Sequence, residues 1–323
     1  MTSSVSTLQI SPRRASRAQI IVAFALVYVV WGSTYLTIHI AIETLPAFLM
    51  SGARFIIAGL LLYAFARRPG QPKERLTRVH WRSAVTVGAC LLLFGNGGVS
   101  WGEQYLPSGF VALIVATVPL WMALFAPLFG GRWINWTAGA GIAVGLVGII
   151  LLVRPGGEGA GHWQTLVLLL SPLLWAIGSL YARTAPAPKQ PLTAIAMEMV
   201  AGGVLLILAG VADGELGHVH PSAISFASVA AFVYLILIGA MVGYVAYIWL
   251  LHHVSATAAS TYAFVNPVVA VALGAIVLGE PITPLTMVAA ALIVGAVALL
   301  LVGQTRSKTE PAATFETPVC EVA

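Results

Sequence analysis

Two charged residues lie alone inside long apolar stretches of the sequence, Arg54 and Glu198. A charge within a membrane-spanning helix is costly and usually faces the protein interior, so each is a candidate functional residue. The two side chains could reach each other as an ion pair, or each could snorkel or bond to nearby backbone. We favour structural or gating roles for both residues over direct contact with a substrate.

Polar and aromatic side chains and two prolines in the same stretches are candidates for lining a substrate cavity. These residues are Trp31, Thr34, Tyr35, Asn96, Pro119, Trp175, Tyr244, Tyr262, Asn266 and Pro267. A proline within a helix frees one backbone carbonyl and kinks the helix, whereas indole rings accept aromatic or cationic ligands. The alternative is that the prolines serve packing and the polar groups hold helices together.

The remaining chemistry-bearing residues do not form a recognisable catalytic or metal-binding pattern. The His218/His220 and His252/His253 pairs have no third ligand at a matching spacing, and no phosphate-binding loop with a lysine occurs. We therefore predict that the protein is not an enzyme and has no metal ion and no cofactor.

The composition excludes a water-soluble domain, since 59% of the residues are hydrophobic and 8% are charged. Soluble domains carry roughly 25% charged residues. The net charge of +5 is spread over short segments and forms no patch, which argues against a nucleic-acid partner. The expected partners are the lipid bilayer and a small-molecule substrate.

Ten apolar stretches are long enough for the ~20 residues that a spanning helix needs. They cover 19–41, 46–66, 83–103, 108–130, 135–153, 164–182, 192–212, 226–252, 256–278 and 284–302. With the N-terminus inside, 14 of the 16 Lys and Arg residues fall in cytoplasmic segments and only Arg154 falls outside. This asymmetry predicts an all-α membrane protein with both termini in the cytoplasm.

The sequence contains an internal duplication. The stretch from Trp101 to Val153 repeats from Trp249 onward at an offset of 148 residues, so Pro119 aligns with Pro267. The preceding part repeats at an offset of 144 residues. This offset aligns Trp31 with Trp175 and Arg54 with Glu198. Five helices per repeat is an odd number, so the second repeat must be inverted in the membrane, as in many secondary transporters.

The inverted arrangement predicts where the aligned residues lie in the membrane. At a rise of ~1.5 Å per residue, both tryptophans and both prolines fall ~16 Å deep, close to the midplane of a ~30 Å core. Small residues on helices 5 and 10 predict close helix packing, either between the repeats or in a homodimer. Glu103, Asp213 and Glu280 lie at the ends of spans, and we interpret them as membrane-interface residues.

The sequence resembles the EamA branch of the drug/metabolite transporter superfamily. The resemblance is carried by the segments WGSTYLTIHIAIETLPAFLMSGARFIIAGLLL, FGNGGVSWGEQYLPSGFVALIVATVPLW, AIAMEMVAGGVLLIL and STYAFVNPVVAVALGAIVLGEPIT. It implies two EamA repeats, a bacterial inner-membrane location, and alternating access around a cavity lined by helices 1, 3, 4, 6, 8 and 9. One departure is Arg132, where the family often has an acidic residue after helix 4, while Glu280 occupies the second-repeat position.

These observations predict a cytoplasmic tail at 1–18, a first repeat at 19–153, a second repeat at 164–302 and a disordered cytoplasmic tail at 303–323. We expect a secondary transporter that exports small metabolites, with amino acids or drug-like amphipathic compounds as the favoured substrates. The alternative is a passive facilitator or a flippase for a lipid-like substrate on the same fold.

Overall fold

The computed structural model describes residues 15–70, 74–131, 136–153, 163–254, 256–260 and 262–306. Within these ranges the regular structure is entirely helical, and ten helices follow the predicted spans. They are α1 (Arg17–Ile42), α2 (Ala47–Ala66), α3 (Arg78–Gly102), α4 (Ser108–Phe129), α5 (Trp136–Val153), α6 (Trp163–Ala182), α7 (Pro191–Ala212), α8 (Phe226–His253), α9 (262–278) and α10 (Pro284–Arg306).

Length and hydropathy support a membrane location for these helices. Seven of them are long and apolar enough to cross a bilayer, namely α1 to α4 and α6 to α8. Shorter apolar helices, Gly139–Gly148, Val265–Leu278 and Pro284–Ala296, lie within α5, α9 and α10. The predicted fold class, an all-α membrane protein built from two five-helix repeats, is thereby confirmed.

Side-chain caps account for helix starts that differ from the predicted limits. The Ser16 hydroxyl accepts a hydrogen bond from the Gln19 backbone N–H at 3.2 Å, so α1 begins two residues earlier than predicted. The Thr77 hydroxyl accepts from the His80 N–H at 3.3 Å, so α3 begins at Arg78 in a polar segment that hydropathy alone did not include. At the other end of the chain, α10 continues to Arg306.

Equivalent helices of the two repeats pack against each other. A Cβ atom added to Gly52 of α2 would lie 2.8 Å from the carbonyl oxygen of Gly203 on α7. One added to Gly148 of α5 would lie 2.8 Å from Ile293 of α10. The small residues thus let the helices pair as α2 with α7 and α5 with α10. The homodimer stays a prediction.

In each repeat, a carboxylate also binds backbone N–H groups at or near the start of a helix of the other repeat. The Glu215 carboxylate, just after α7, accepts backbone N–H bonds from Phe48 and Leu49 at 2.9 and 2.8 Å, in the first turn of α2. Glu74, after α2, accepts from the Lys189 N–H at 2.7 Å, next to the start of α7. Glu215 follows α7 and binds the start of α2, whereas Glu74 follows α2 and binds the segment just before α7. The two contacts are thus exchanged between equivalent helices, which fits an inverted repeat.

Replacing Glu215 by alanine is expected to lower the free energy of unfolding by roughly 1–3 kcal/mol, because two backbone donors lose a charged acceptor. Thermal or denaturant unfolding in detergent micelles would measure the change. Asp213→Ala is the matched control, since Asp213 is exposed two residues away. Equal stability of the two variants would contradict the capping role.

Three helices widen locally into π-helical turns. These are Ala89–Gly97 in α3, Leu235–Tyr244 in α8 and Gly274–Leu278 in α9. The first two occupy nearly the same positions of the two repeats. Such turns disturb the regular backbone hydrogen bonding and are frequent at functional sites. Those of α3 and α8 both border the cavity described next.

Candidate substrate-binding cavity

A cavity of about 50 Å³ lies between the two repeats. Its lining comprises Trp31, Thr34, Tyr35, Ile38, Arg54, Gly95, Asn96, Val99, Val115, Ser171, Trp175, Gly239 and Tyr262. These residues belong to α1, α2, α3, α4, α6, α8 and α9. The structure therefore adds α2, through Arg54, to the six helices that the family resemblance implies.

The structure brings six of the ten candidate cavity residues into this lining: Trp31, Thr34, Tyr35, Asn96, Trp175 and Tyr262. The other four, Pro119, Tyr244, Asn266 and Pro267, are buried outside it. Arg54 belongs to the lining, although the sequence favoured a structural or gating role for it. Arg54 is also the one charged side chain among the lining residues.

Four aromatic rings pack together at one end of the cavity, and we call them the aromatic floor: Trp31, Trp175, Tyr247 and Tyr262. Ring centroids of neighbouring members are 4.8 to 5.7 Å apart. The Tyr247 hydroxyl accepts a hydrogen bond from the Trp175 indole N–H at 3.0 Å and lies 2.7 Å from the Ser179 hydroxyl. Tyr247 itself is fully buried, so the floor is closed in this conformation.

Each tryptophan of the floor packs on a glycine of the other repeat. A Cβ atom on Gly243 would lie 2.6 Å from the Trp31 indole nitrogen, and one on Gly95 would lie 2.5 Å from Trp175 Cε3. Gly95 and Gly243 align at the repeat offset of 148 residues, and both lie in the π-helical turns. The floor is therefore built from two equivalent Trp–Gly contacts that cross between the repeats.

The two membrane-embedded charges bind separate partners. The Arg54 guanidinium donates to the Asn96 side-chain oxygen, whereas the Tyr244 hydroxyl donates to the Glu198 carboxylate at 3.1 Å. Arg54 aligns with Glu198 and Asn96 with Tyr244, so one contact is the repeat equivalent of the other. Glu198 is satisfied by Tyr244 and is 9% exposed, and Arg54 is 3% exposed.

Glu198 borders a second and larger cavity, of about 400 Å³. Its lining includes His80 at the start of α3, Pro188 and Leu192 around the start of α7, and Trp249 at the end of α8. Apart from Trp175 and Tyr262 of the aromatic floor, the first cavity is lined by the last halves of α1 and α3 and the first halves of α2, α4, α6 and α8. Antiparallel neighbours place these two sets of helix ends on opposite sides of the membrane.

The two aligned prolines shape helices without touching the cavity. Pro119 follows a break in α4 at Ala116–Thr117, where the Thr117 hydroxyl donates to the Ile114 carbonyl at 2.7 Å. Because proline has no N–H, the Val115 carbonyl has no donor at the position four residues on, and Val115 lines the cavity. Pro119 thus affects the cavity indirectly, because it leaves the Val115 carbonyl without its helical hydrogen bond.

Asn266 holds helices together next to Pro267, which lies inside α9. With its amide nitrogen facing them, Asn266 donates to the carbonyl oxygens of Tyr28 on α1 and Tyr262, each at 3.2 Å. Asn266 is 3% exposed. Of the two roles that the sequence left open for this amide, helix bridging matches the geometry.

Three residues at the ends of spans have different surroundings, which corrects their interpretation as interface residues. Asp213 is exposed, as expected. The Glu280 carboxylate instead accepts N–H bonds from Ser108 and Gly109 at the start of α4, at 2.7 and 3.2 Å. Glu103 is only 2% exposed. The equivalent of Glu280 in the first repeat, Arg132, lies outside the described residues.

Sequence reasoning missed Tyr247, Ser171 and the two glycines under the tryptophans. Ser171 donates to the Gly95 carbonyl at 2.7 Å, across α6 and α3. The pairing of Gly95 with Gly243 in the repeat alignment was the available signal, because two aligned glycines indicate equivalent close approaches. Tyr247 had no such signal, since its aligned residue is Val99.

Comparisons with known proteins agree with this architecture. The EamA-like transporter family matches residues 18–154 and 162–302. The "Uncharacterized inner membrane transporter YedA" of Escherichia coli is 40% identical over 284 residues, covering 87% of this chain and 90% of that protein. This relative and the family match confirm the resemblance to the EamA branch that the sequence segments carry.

Two further proteins are more distantly similar. A "Probable terminal-alkyne amino-acid exporter" of Streptantibioticus cattleyicolor is 26% identical over 296 residues, covering 90% of this chain and 96% of that protein. A solved crystal structure superposes with a TM-score of 0.65 at 18% identity, covering 90% of this chain and all of that one, which supports the fold. The chain belongs to the EamA-like transporter family and is a multi-pass membrane transporter, not an enzyme.

Proposed function

We propose that this chain is a secondary transporter that exports small metabolites across the bacterial inner membrane by alternating access. The observation that carries the proposal is a pair of cavities on opposite sides of a closed aromatic floor. A transporter that alternates needs one site that is accessible from one side while a barrier closes the other. The inverted repeat supplies two equivalent halves that can exchange these roles.

The charge asymmetry of the loops supports an orientation with both termini in the cytoplasm. In this orientation the second cavity faces the cytoplasm, beside Arg183 and Lys189. The first cavity then faces the opposite side. This conformation is closed toward the cytoplasm by the aromatic floor.

The cavity chemistry favours substrates that carry an anionic group and an apolar part. Arg54 is the single charged side chain in the lining, and an arginine fork pairs well with a carboxylate. The rings of Trp31 and Trp175 offer an apolar surface beside it. Of the expected substrates, amino acids and other carboxylates therefore fit better than drug-like cations, and the amino-acid exporter among the relatives points the same way.

The cavity is narrow in this conformation. It encloses about 50 Å³, whereas sites for small molecules enclose roughly 300–1,000 Å³, so the repeats must move apart to admit a metabolite. A Cβ atom on Gly239 would lie 3.3 Å from Thr34 Cγ2, so a large side chain at this position would occupy the space of the substrate.

A comparison of extracellular metabolites tests the proposal. Cells that overexpress the wild-type protein should accumulate at least one carboxylate compound outside, compared with cells that lack the protein. Gly239→Phe should abolish this accumulation. Gly217→Phe should preserve it, since a Cβ at Gly217 meets no atom within 4 Å. Identical extracellular profiles with and without the wild-type protein would overturn the exporter proposal.

The same cells distinguish the alternative of a passive facilitator or a lipid flippase. A protonophore should abolish extracellular accumulation by a transporter that depends on the proton gradient. Release that continues unchanged with the protonophore would favour a facilitator, and a change confined to membrane lipids would favour a flippase.

A further inference from the structure

Glu103 is a buried carboxylate without a hydrogen-bond partner in the part of the chain that the structure describes. It follows the last residue of α3, and its side chain is 2% exposed. Among the residues that the structure describes, no donor is within hydrogen-bonding distance of either carboxylate oxygen. The next two residues, Gln104 and Tyr105, are exposed, so Glu103 lies close to the surface that we assign to the outer side.

The titratable and charged groups around Glu103 come from three other parts of the chain. They are Tyr35 on α1, Arg54 on α2 and Glu280 after α9, all within electrostatic range. The Glu280 carboxylate is held by backbone N–H groups of α4. Within the described part of the chain, the Ser108 hydroxyl and the Nε of Arg54 are also buried without a hydrogen-bond partner.

These surroundings stabilise the neutral form of Glu103 in this conformation. An ionised carboxylate in an apolar interior is costly unless donors satisfy it, and none reaches it here. Arg54 attracts it from beyond hydrogen-bonding distance, while the Glu280 carboxylate repels its charge. A proton on Glu103 removes the buried charge without requiring a partner.

We propose that Glu103 carries the proton that drives the transport cycle, and that Arg54 is the group that releases it. This inference rests on the proposed function of a secondary transporter. In the present conformation a proton from the outer solution forms an O–H bond with a carboxylate oxygen. When the repeats rearrange so that the cavity lined by Arg54 opens to the cytoplasm, the Arg54 guanidinium contacts Glu103 at this cavity, the O–H bond breaks and the proton leaves through the cavity to cytoplasmic water.

The charges balance in both conformations. The neutral carboxylic acid leaves the Arg54 cation free to hold an anionic group of the substrate, whereas the ionised carboxylate forms an ion pair with the guanidinium. Release of substrate to the outside and uptake of a proton from the outside are then linked through one arginine. The net result is one proton moved inward for each substrate moved outward.

Infrared difference spectroscopy tests the protonation without any substrate. The wild-type protein, purified in lipid vesicles at neutral pH, should show a C=O band of a protonated carboxylic acid to which Glu103 contributes. Because the buried Glu198 can contribute a band of its own, the readout is the wild-type spectrum minus that of each variant. Subtraction of Glu103→Gln should leave a carboxylic-acid band, and subtraction of Glu43→Gln should leave none, because Glu43 is an exposed acid in the loop between α1 and α2. Absence of the band from the difference between the wild type and Glu103→Gln would overturn the inference.

Export by cells tests the coupling. The protonophore-sensitive part of the extracellular accumulation should be lost in Glu103→Gln and retained in Glu43→Gln, with matching melting temperatures and membrane levels. Protonophore-sensitive export by Glu103→Gln at the wild-type level would overturn the role of Glu103. Absence of export by the wild type would instead overturn the proposed function, and the infrared result would remain.

Discussion

Replacing Arg54 by methionine is expected to reduce export at least ~30-fold, because the cavity loses the one charged group in its lining. Removing one partner of a buried charge contact costs about 2 kcal/mol or more, and each 1.4 kcal/mol is about tenfold in affinity. Methionine keeps the length and apolar packing of the side chain. The measurement is extracellular accumulation of the exported compound as a function of its cytoplasmic level.

Arg68→Met is the matched control for this substitution. Arg68 is an exposed cation beyond the end of the same helix, and its guanidinium lies over the Phe65 ring at 4.3 Å. Its loss should leave export unchanged. A melting temperature for each variant separates loss of function from loss of folding. Full export by a folded Arg54→Met protein would contradict a substrate-binding role for Arg54.

Exchanging the two membrane-embedded charges, Arg54→Glu with Glu198→Arg, is expected to give no rescue of either single variant. Arg54 contacts Asn96 and Glu198 contacts Tyr244, and the two charges border different cavities. Rescue of export by the double variant would show that the charges meet in another conformation of the cycle.

The repeat architecture could be predicted from the sequence because it depends on alignment and on hydropathy. The offsets that pair Arg54 with Glu198 and Asn96 with Tyr244 are properties of the sequence alone. The offsets do not show that the first members of the two pairs, Arg54 and Asn96, contact each other, as do the second members, Glu198 and Tyr244. The contact between Arg54 and Asn96 depends on how α2 is rotated about its axis relative to α3, and side-chain packing decides this rotation.

Burial at helix ends was the least predictable feature. Glu103 and Asp213 both follow an apolar stretch by one or two residues, and hydropathy treats them alike. Asp213 precedes a left-handed glycine in an exposed turn, whereas the Glu103 side chain is buried although Gln104 and Tyr105 beside it are exposed. Only tertiary contacts separate a solvated carboxylate from a buried one.

The prolines show a similar limit of prediction from the sequence. Their common depth suggested that they line the cavity, and depth along a helix is readable from the sequence. The direction in which a residue faces around the helix is not, in a span that is apolar on all sides. Pro119 therefore has the expected effect on the backbone, while the residue exposed to the cavity is Val115.

The aromatic floor supplies the second prediction with a large effect. Gly243→Leu is expected to abolish export, because its Cβ alone would lie 2.6 Å from Trp31 Nε1 and 3.0 Å from Val30 Cγ1. Gly95→Leu should also abolish export, because its Cβ would lie 2.5 Å from Trp175 Cε3. Overpacking of a close contact costs about 1–3 kcal/mol, so both variants should also melt at lower temperature than the wild type.

The equivalence of these two glycines makes the prediction more demanding than a general loss of function. Each lies under the tryptophan of the opposite repeat, so the two substitutions should reduce export and stability to a similar degree. Gly295→Leu is the matched control, because a Cβ there meets no atom within 4 Å on α10. Its export should equal that of the wild type. If Gly95→Leu or Gly243→Leu exported normally, the Trp–Gly contacts would have no part in closing the floor, and the barrier between the two cavities would have to lie elsewhere.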